Sequence, residues 1–233
     1  MTMALASGGA DISIELPADA GSANLQAGVA QTGRTLKQYI CDVRTPKELR
    51  ACYQRIWADG IKADILLNCA GVQRRAEAVD FTDEDIELVL DVNIKATLVS
   101  CQEFAKPLLA EGRPGKIINI ASIISFIGGK NITPYAASKG AVLQVTKAFS
   151  NEWAGRGIQC NCIHPGYFKT PMTTQYATDP KYADFNAYIL SRTPAQRWGE
   201  PGDLQGAVLF LASRASDYVS GTSVVCDGGF LGM

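Results

Sequence analysis

The chain predicts an α/β fold, a single domain built on a doubly wound parallel sheet with helices on its faces. Three observations carry this. Strand-like and helix-like segments alternate along the sequence. Some strand segments are continuously apolar, such as Ile65-Leu66-Leu67, which suits strands covered on both faces. The 233 residues, 47% of them hydrophobic, can fill one sizeable core, and no linker, repeat or low-complexity stretch divides them.

Each element has its own local reason. Asp11 to Leu16 reads as a strand, and Lys37 to Cys41 as another. Thr45-Pro46-Lys47-Glu48 has the form of a capping box with proline at the first helical position, so a helix should run to about Asp59. Ile65 to Leu67 is a buried strand. Thr82 followed by Asp83, Glu84 and Asp85 opens a long helix to about Ala110. Gly115 to Ala121 is the next strand. Pro134 starts a helix that ends near Gly155, and Ile158 to Ile163 is again a strand. Residues 166–200 differ, being rich in Pro, Thr, Tyr and Gln, with room for a short helix from Pro180 to Leu190. Pro201 starts a helix through Ala212, and Thr222 to Cys226 closes the sheet.

Composition excludes several function classes. The net charge is −1, from 22 basic and 23 acidic side chains, and Arg74-Arg75 is too short for a nucleic-acid patch. No apolar run approaches the length of a membrane span, and Met1 to Ala10 lacks the features of a secretory signal. The expected partner is a small-molecule substrate, with neither nucleic acid nor membrane. The seven cysteines are odd in number and lie mostly in apolar runs. They read as buried thiols in a reducing compartment, and so as a cytoplasmic protein. Cys160 and Cys162 face one side of a strand, but with one histidine in the chain no metal is expected.

The chemistry gathers between residues 122 and 139. Ser122 stands at the carboxyl end of a strand, where an α/β sheet presents polar groups to a ligand. Tyr135 and Lys139 are four residues apart, hence on one helical face, one turn apart. A nearby ammonium should favour phenolate over phenol and lower the tyrosine pKa from its ordinary value of about 10. Such a set suits proton transfer to and from an alcohol or carbonyl.

Ser122, Tyr135 and Lys139, spaced Ser-x12-Tyr-x3-Lys, resemble the catalytic signature of the short-chain dehydrogenase/reductase family. Further marks are Asn68-Cys69-Ala70-Gly71 after a strand, Asn93 in the next helix, Pro165-Gly166 after another strand, and Asp227-Gly228-Gly229. The resemblance implies a Rossmann-type sheet and hydride transfer between a nicotinamide cofactor and a secondary alcohol or ketone. It implies that Tyr135 passes the proton, that Lys139 tunes it and touches the nicotinamide ribose, and that Ser122 positions the reacting oxygen. Asn93 would help hold a water in the proton relay. Asp42 and Val43 would contact adenine; Asn68, Ala70 and Gly71 would line the cofactor; Pro165, Gly166 and Thr170 would meet its nicotinamide end. His164 carries no catalytic role in the family and reads as structural. Residues 166–200 resemble the family's substrate lid.

The resemblance also shapes four further expectations. Strand two ends Glu15-Leu16-Pro17, followed by Asp19, with no basic residue, so NAD is expected over NADP. Gly71 to Arg75, Ala195 to Gly199 and Ala215 to Val219 look like a gluconate-type subgroup. A sugar acid such as a deoxygluconate is therefore the expected substrate, with Arg74 or Arg75 pairing its carboxylate. The family's first strand and its Thr-Gly-x3-Gly-x-Gly turn find no match, so the domain over residues 1–233 is expected to be N-terminally incomplete. A catalytically impaired relative acting as a binding subunit is the alternative. The long helices over 83–110 and 134–155 should form a homodimer or homotetramer contact. Ala136, Ala137, Gly140 and Ala141 would allow close approach there, and Leu143 and Phe149 would add apolar surface.

Overall fold

The computed structural model describes residues 1–16 and 23–233, with residues 12–16 described by their backbone. Among them stand six strands: β1 Ile12–Leu16, β2 Leu36–Ile40, β3 Ile65–Asn68, β4 Gly115–Ile120, β5 Ile158–Pro165 and β6 Ser223–Cys226. All pairings are parallel. They fall into two sheets, β1-β2 and β3-β4-β5-β6. The helices are α1 Thr2–Ser7, α2 Ala23–Gln31, α3 Pro46–Ala58, α4 Asp83–Leu90, α5 Ala96–Glu111, α6 Thr133–Trp153, α7 Thr174–Thr178, α8 Ala183–Ser191 and α9 Gln205–Ala212.

Strand β4 shows why the sheet is central. Successive side chains point to opposite faces. Ile117 enters a core with Leu49, Phe104, Leu108 and Ile158, under α3, α5 and α6. Ile118 enters another with Leu5, Ile163, Val208 and Leu211, under α1 and α9. Both isoleucines are fully buried, each contributing roughly 1.5–3 kcal/mol. Helix α6 follows the same logic at a different period. Pro134 suits its first turn, and the buried positions Lys139, Val142, Thr146, Phe149 and Trp153 recur every three or four residues.

Several expectations needed correction. The helix expected over 82–110 is interrupted by a π-helical turn at Asp91–Lys95, which separates α4 from α5. Thr45 precedes α3 without a side-chain cap. Its N–H is already bonded to the carbonyl of Asp42, so the reciprocal half of a capping box has no donor left. Helix α2 was not foreseen: it presents only Val29 to the core and has little periodicity to read. Strand β3 is half-buried along its length rather than buried, because among the described residues it pairs on one side only. Cys69, just beyond it, is exposed, and Cys226 is half-buried, while the other five thiols are buried. The two sheets are separated by a slot of about 950 Å³.

Candidate active site

Ser122 follows the end of β4 in an extended conformation. Its Oγ accepts the N–H of Ile124 at 3.2 Å, capping a short 3-10 turn at Ile123–Ser125. His164, fully buried on β5, lies beneath it with Nδ1 2.8 Å from the Ser122 carbonyl oxygen. A carbonyl only accepts, so Nδ1 carries the hydrogen. Burial lowers the His164 pKa, so the ring is neutral and Nε2 is an acceptor. The Cys162 thiol, 3.0 Å away and itself pushed up by burial, donates to it. The Phe126 ring packs on the imidazole with centroids 4.4 Å apart. Through its Nδ1 bond His164, read as structural, is joined to the site. Its place two residues after Cys162 on the strand beside Ser122 was the available signal.

Tyr135 and Lys139 sit on one face of α6, with Lys139 Nζ 5.8 Å from the tyrosine ring centre. Lys139 is buried, and Nζ donates to the carbonyl of Ile120 at 2.7 Å. Burial lowers its pKa to about 8. The expectation for Tyr135 is corrected. Its pKa is raised, because burial outweighs the hydrogen bond with Ser122 that acts the other way. The ammonium lies near the ring face and bonds Ile120 rather than the phenol oxygen, so it does not stabilise a phenolate directly.

Asn93 occupies the π turn and is almost wholly buried. Its Oδ1 accepts from the N–H of Val72 at 2.8 Å. Its Nδ2 donates to the Val72 carbonyl and to Ser138 Oγ, each at 3.0 Å. An α-helix would carry Asn93 round by another angle; a π turn inserts one residue and is frequent at functional sites. Gly71 meets the same group, since a Cβ there would lie 3.5 Å from Asn93 Oδ1 and 3.6 Å from Lys139 Nζ. Asn68 donates instead to Asn119 at 2.8 Å, and Asn119 to Thr146 at 3.0 Å, tying β3 to β4 and α6.

The other expected site residues separate into groups. Ser122, Tyr135, Gly166 and Arg75 line one cavity of about 80 Å³, closed over by Tyr176 of α7 and Phe185 of α8. At Gly166 a Cβ would stand 2.8 Å from the backbone of Asp227, so only glycine lets β5 and the final turn approach. Pro165 ends β5 beside it. Asn68, Ala70 and Val43 line the slot between the sheets. Asp42 does not join them: Arg44 grips its carboxylate and holds the pKa below the usual range. Thr170 shares a hydrogen bond with Thr173 at 2.8 Å at the start of the α7 turn and does not line the cavity. The two arginines also part. Arg74 pairs with Asp85 at 3.0 Å, whereas the Arg75 guanidinium lies 4.9 Å from the Tyr176 ring centre at the cavity.

A parallel α/β sheet with a serine at a strand's carboxyl end, facing a tyrosine and lysine on the next helix, defines an oxidoreductase of the alcohol–carbonyl type. The family model described as "Enoyl-(Acyl carrier protein) reductase" matches residues 1–231, and the chain belongs to that family, the short-chain dehydrogenases/reductases, whose enzymes are NAD(P)-dependent. It is 43% identical over 203 residues to the 2-dehydro-3-deoxy-D-gluconate 5-dehydrogenase of Escherichia coli, covering 87% of this chain and 79% of that one. It is 42% identical to the enzyme of the same name from Bacillus subtilis, covering 98% of this chain and 87% of that one. A gluconate 5-dehydrogenase from Burkholderia cenocepacia, solved in complex with NADP and tartrate, superposes with a TM-score of 0.92 at 37% identity, covering 100% and 90%. NADP in that relative runs against the preference for NAD drawn from strand two. The residues behind that preference, Pro17, Asp19 and the Glu15 side chain, lie outside the described residues.

Proposed function

We propose that the chain interconverts a secondary hydroxyl and a ketone on a sugar acid of the gluconate type, using NADP or NAD. The observation that carries this is the 80 Å³ cavity, where Ser122 and Tyr135 stand together with a guanidinium, Arg75. The names and bound molecules of the relatives point the same way, and NADP becomes the favoured cofactor. The bound dinucleotide would supply or take up the hydride.

The chain's own residues do the rest. Ser122 and the Tyr135 hydroxyl hold the reacting oxygen, and Tyr135 gives or takes its proton. Lys139 has ammonium donors to spare beyond Ile120, which fits a ligand hydroxyl such as a ribose. Asn93 orders the turn through Val72 and hence Gly71, where the missing side chain leaves space beside Lys139. Asn68, Ala70, Gly71, Pro165 and Gly166 would hold the nicotinamide end, Thr170 would shape the lid, and Val43 and Asp42 would lie toward the adenine end. Arg75, rather than Arg74, would pair the carboxylate, because Arg74 is engaged by Asp85. Residues 166–200 act as a lid: 80 Å³ is far below the roughly 300 Å³ of a working ligand pocket, so α7 and α8 must withdraw to admit substrate.

Assembly and compartment belong to the same proposal. The face of α6 bearing Ala137, Gly140 and Ala141 is free of bulky side chains and suits a homodimer or homotetramer contact. Leu143 and Phe149 do not add to it: both are buried within their own subunit. Free thiols suit a reducing cytoplasm, and no helix among the described residues is long and apolar enough to cross a membrane.

The test is turnover of keto sugar acids with NADPH and NADH, followed by loss of reduced-nicotinamide absorbance. Tyr135→Phe should abolish turnover and leave dinucleotide binding nearly intact. Arg75→Ala should raise KM for sugar acids more than for neutral ketoses. Equal effects on both substrate types would remove Arg75 from carboxylate recognition.

A further inference from the structure

One polar group at the active-site cavity has no task in the chemistry above, the phenol of Tyr167. Tyr167 lines the cavity with Ser122, Tyr135 and Arg75. It follows Gly166 at the root of the lid, where its carbonyl accepts the N–H of Gly199 at 2.9 Å. Other rings hold its own ring: Phe230 at 5.3 Å between centres, Trp198 at 5.6 Å and Phe185 at 6.1 Å, the last two edge-on. The Trp198 indole is itself anchored, donating to Asn186 Oδ1 at 2.7 Å. A tyrosine so enclosed usually spends its hydroxyl on a partner. Among the described residues this hydroxyl makes no hydrogen bond, and it is not sealed among apolar atoms. Thr173, also at the cavity, is by contrast engaged in its own turn, sharing a hydrogen bond with Thr170. Burial raises the Tyr167 pKa, and the charges its phenol feels next are those of Tyr188, Arg75 and Tyr135. The hydroxyl therefore stays protonated and donates, within electrostatic reach of both the proton-transferring tyrosine and the guanidinium.

We infer that Tyr167 is a specificity-determining residue, whose hydroxyl donates to a hydroxyl on the substrate's carbon chain and so selects hydroxylated ketones over bare ones. The inference rests on the reading of this cavity as a sugar-acid site and adds to it. Ser122 and Tyr135 hold the oxygen that changes, and Arg75 suits the carboxylate. None of the three recognises the remaining hydroxyls, and Ile123, Ile124 and Ile132 on the cavity wall have nothing to offer them. Tyr167 supplies the missing donor. Its enclosure matters, because a ring already held by three others gives up little rotational freedom when it binds. Discrimination of this kind works mainly by penalty. When the lid closes on a ketone that lacks the hydroxyl, the phenol loses its water and gains no partner.

The experiment compares Tyr167→Phe with the parent chain on two pairs of ketones, at saturating NADPH. One pair is acidic, 5-keto-D-gluconate and levulinate; the other is neutral, erythrulose and butanone. In each pair only the first carries hydroxyls. Where the bare ketone turns over too slowly, its inhibition constant against its hydroxylated partner replaces KM. The variant should raise KM for both hydroxylated ketones by about three- to tenfold, with kcat moving less, and shift the bare ketones by less than about twofold. Its melting temperature should not fall, because the phenol bonds nothing within the chain. Three results would overturn the inference: equal shifts for hydroxylated and bare ketones, which would make the role one of packing; no shift for either hydroxylated ketone; or a lowered melting temperature, which would reveal a partner inside the protein. The sugar-acid reading fails separately, if the parent prefers erythrulose to 5-keto-D-gluconate, and the comparison within each pair still judges Tyr167.

Discussion

At the scale of single residues, the site rests on buried groups whose charge is costly. Lys139 has its pKa lowered to about 8 by burial. Its native pKa is thus below its unfolded value of about 10.5. Between those two values the unfolded chain binds more protons, so stability rises with pH there, and the penalty is fully present below pH 8. Lys139→Met should therefore lose turnover and stabilise the fold at pH 7 by less than about 3 kcal/mol, because the Ile120 carbonyl loses its donor, with the gain fading by pH 10. Denaturant melts of both proteins at the two pH values measure this; a gain that persisted at pH 10 would assign it to packing. His164 titrates with the same sign in a lower window. Its pKa is depressed, so stability should fall as pH drops below about 6.5, where the unfolded imidazole takes a proton that the buried ring resists. His164→Leu should remove that acid sensitivity, cost about 1–3 kcal/mol at pH 7 by leaving the Ser122 carbonyl without its donor, and lower kcat. His164→Gln, which can still donate, should recover much of the loss. Ser122, Tyr135 and Lys139 were legible in the sequence because strand ends and four-residue helical spacing fix where side chains point. The direction of the Tyr135 shift was not, because spacing cannot tell which atom an ammonium will bond.

At the scale of elements, the π turn at Asp91–Lys95 joins two functions. It breaks what would be one helix and aims Asn93 at both the loop after β3 and Ser138 of α6. Asn93→Ala would leave Val72 N–H, Val72 C=O and Ser138 short of partners inside the protein. The expected effect is a loss of roughly 2–5 kcal/mol and faster proteolysis at residues 71–75, read by denaturant melts and limited digestion. Full stability in that variant would show that water replaces the amide. The lid has its own test. Tyr176→Ala removes the ring that stacks on Arg75, so KM for sugar acids should change, and the melting point should fall as well, because the same ring packs edge-on against Tyr182 and Phe185. Most elements were legible because each carried a proline, a cap or a period. Helix α2 carried none, and the π turn is invisible to a pattern of threes and fours, since it inserts a residue without changing which residues are apolar.

For the molecule as a whole, order along the chain told more than arrangement in space. Alternating strands and helices pointed to the parallel α/β class, and each strand was expected, but within one sheet. That β1-β2 and β3 to β6 stand as separate sheets emerges from the three-dimensional structure. Assembly is tested at Gly140, where a Cβ would meet nothing within 4 Å in the single chain. Gly140→Trp should leave one subunit's fold unchanged and break a symmetric contact, because a clash on one copy recurs on its partner. Light scattering that gave the same mass for variant and parent would move the interface elsewhere.

Helix α1 packs on α9, where a Cβ on Gly8 would stand 2.8 Å from Leu209 and Leu5 shares a core with Val208 and Leu211. The contact closes a loop of about 200 residues. During synthesis at roughly 5–20 residues per second, Leu5 leaves the ribosome some ten to forty seconds before α9 exists. For that interval the side of the first helix that meets α9 has no lasting partner and is open to chaperones, while its neighbours α2 and β1 are already made. A synonymous recoding that slows translation late in the gene should therefore lower the yield of folded protein, even though it alters no residue.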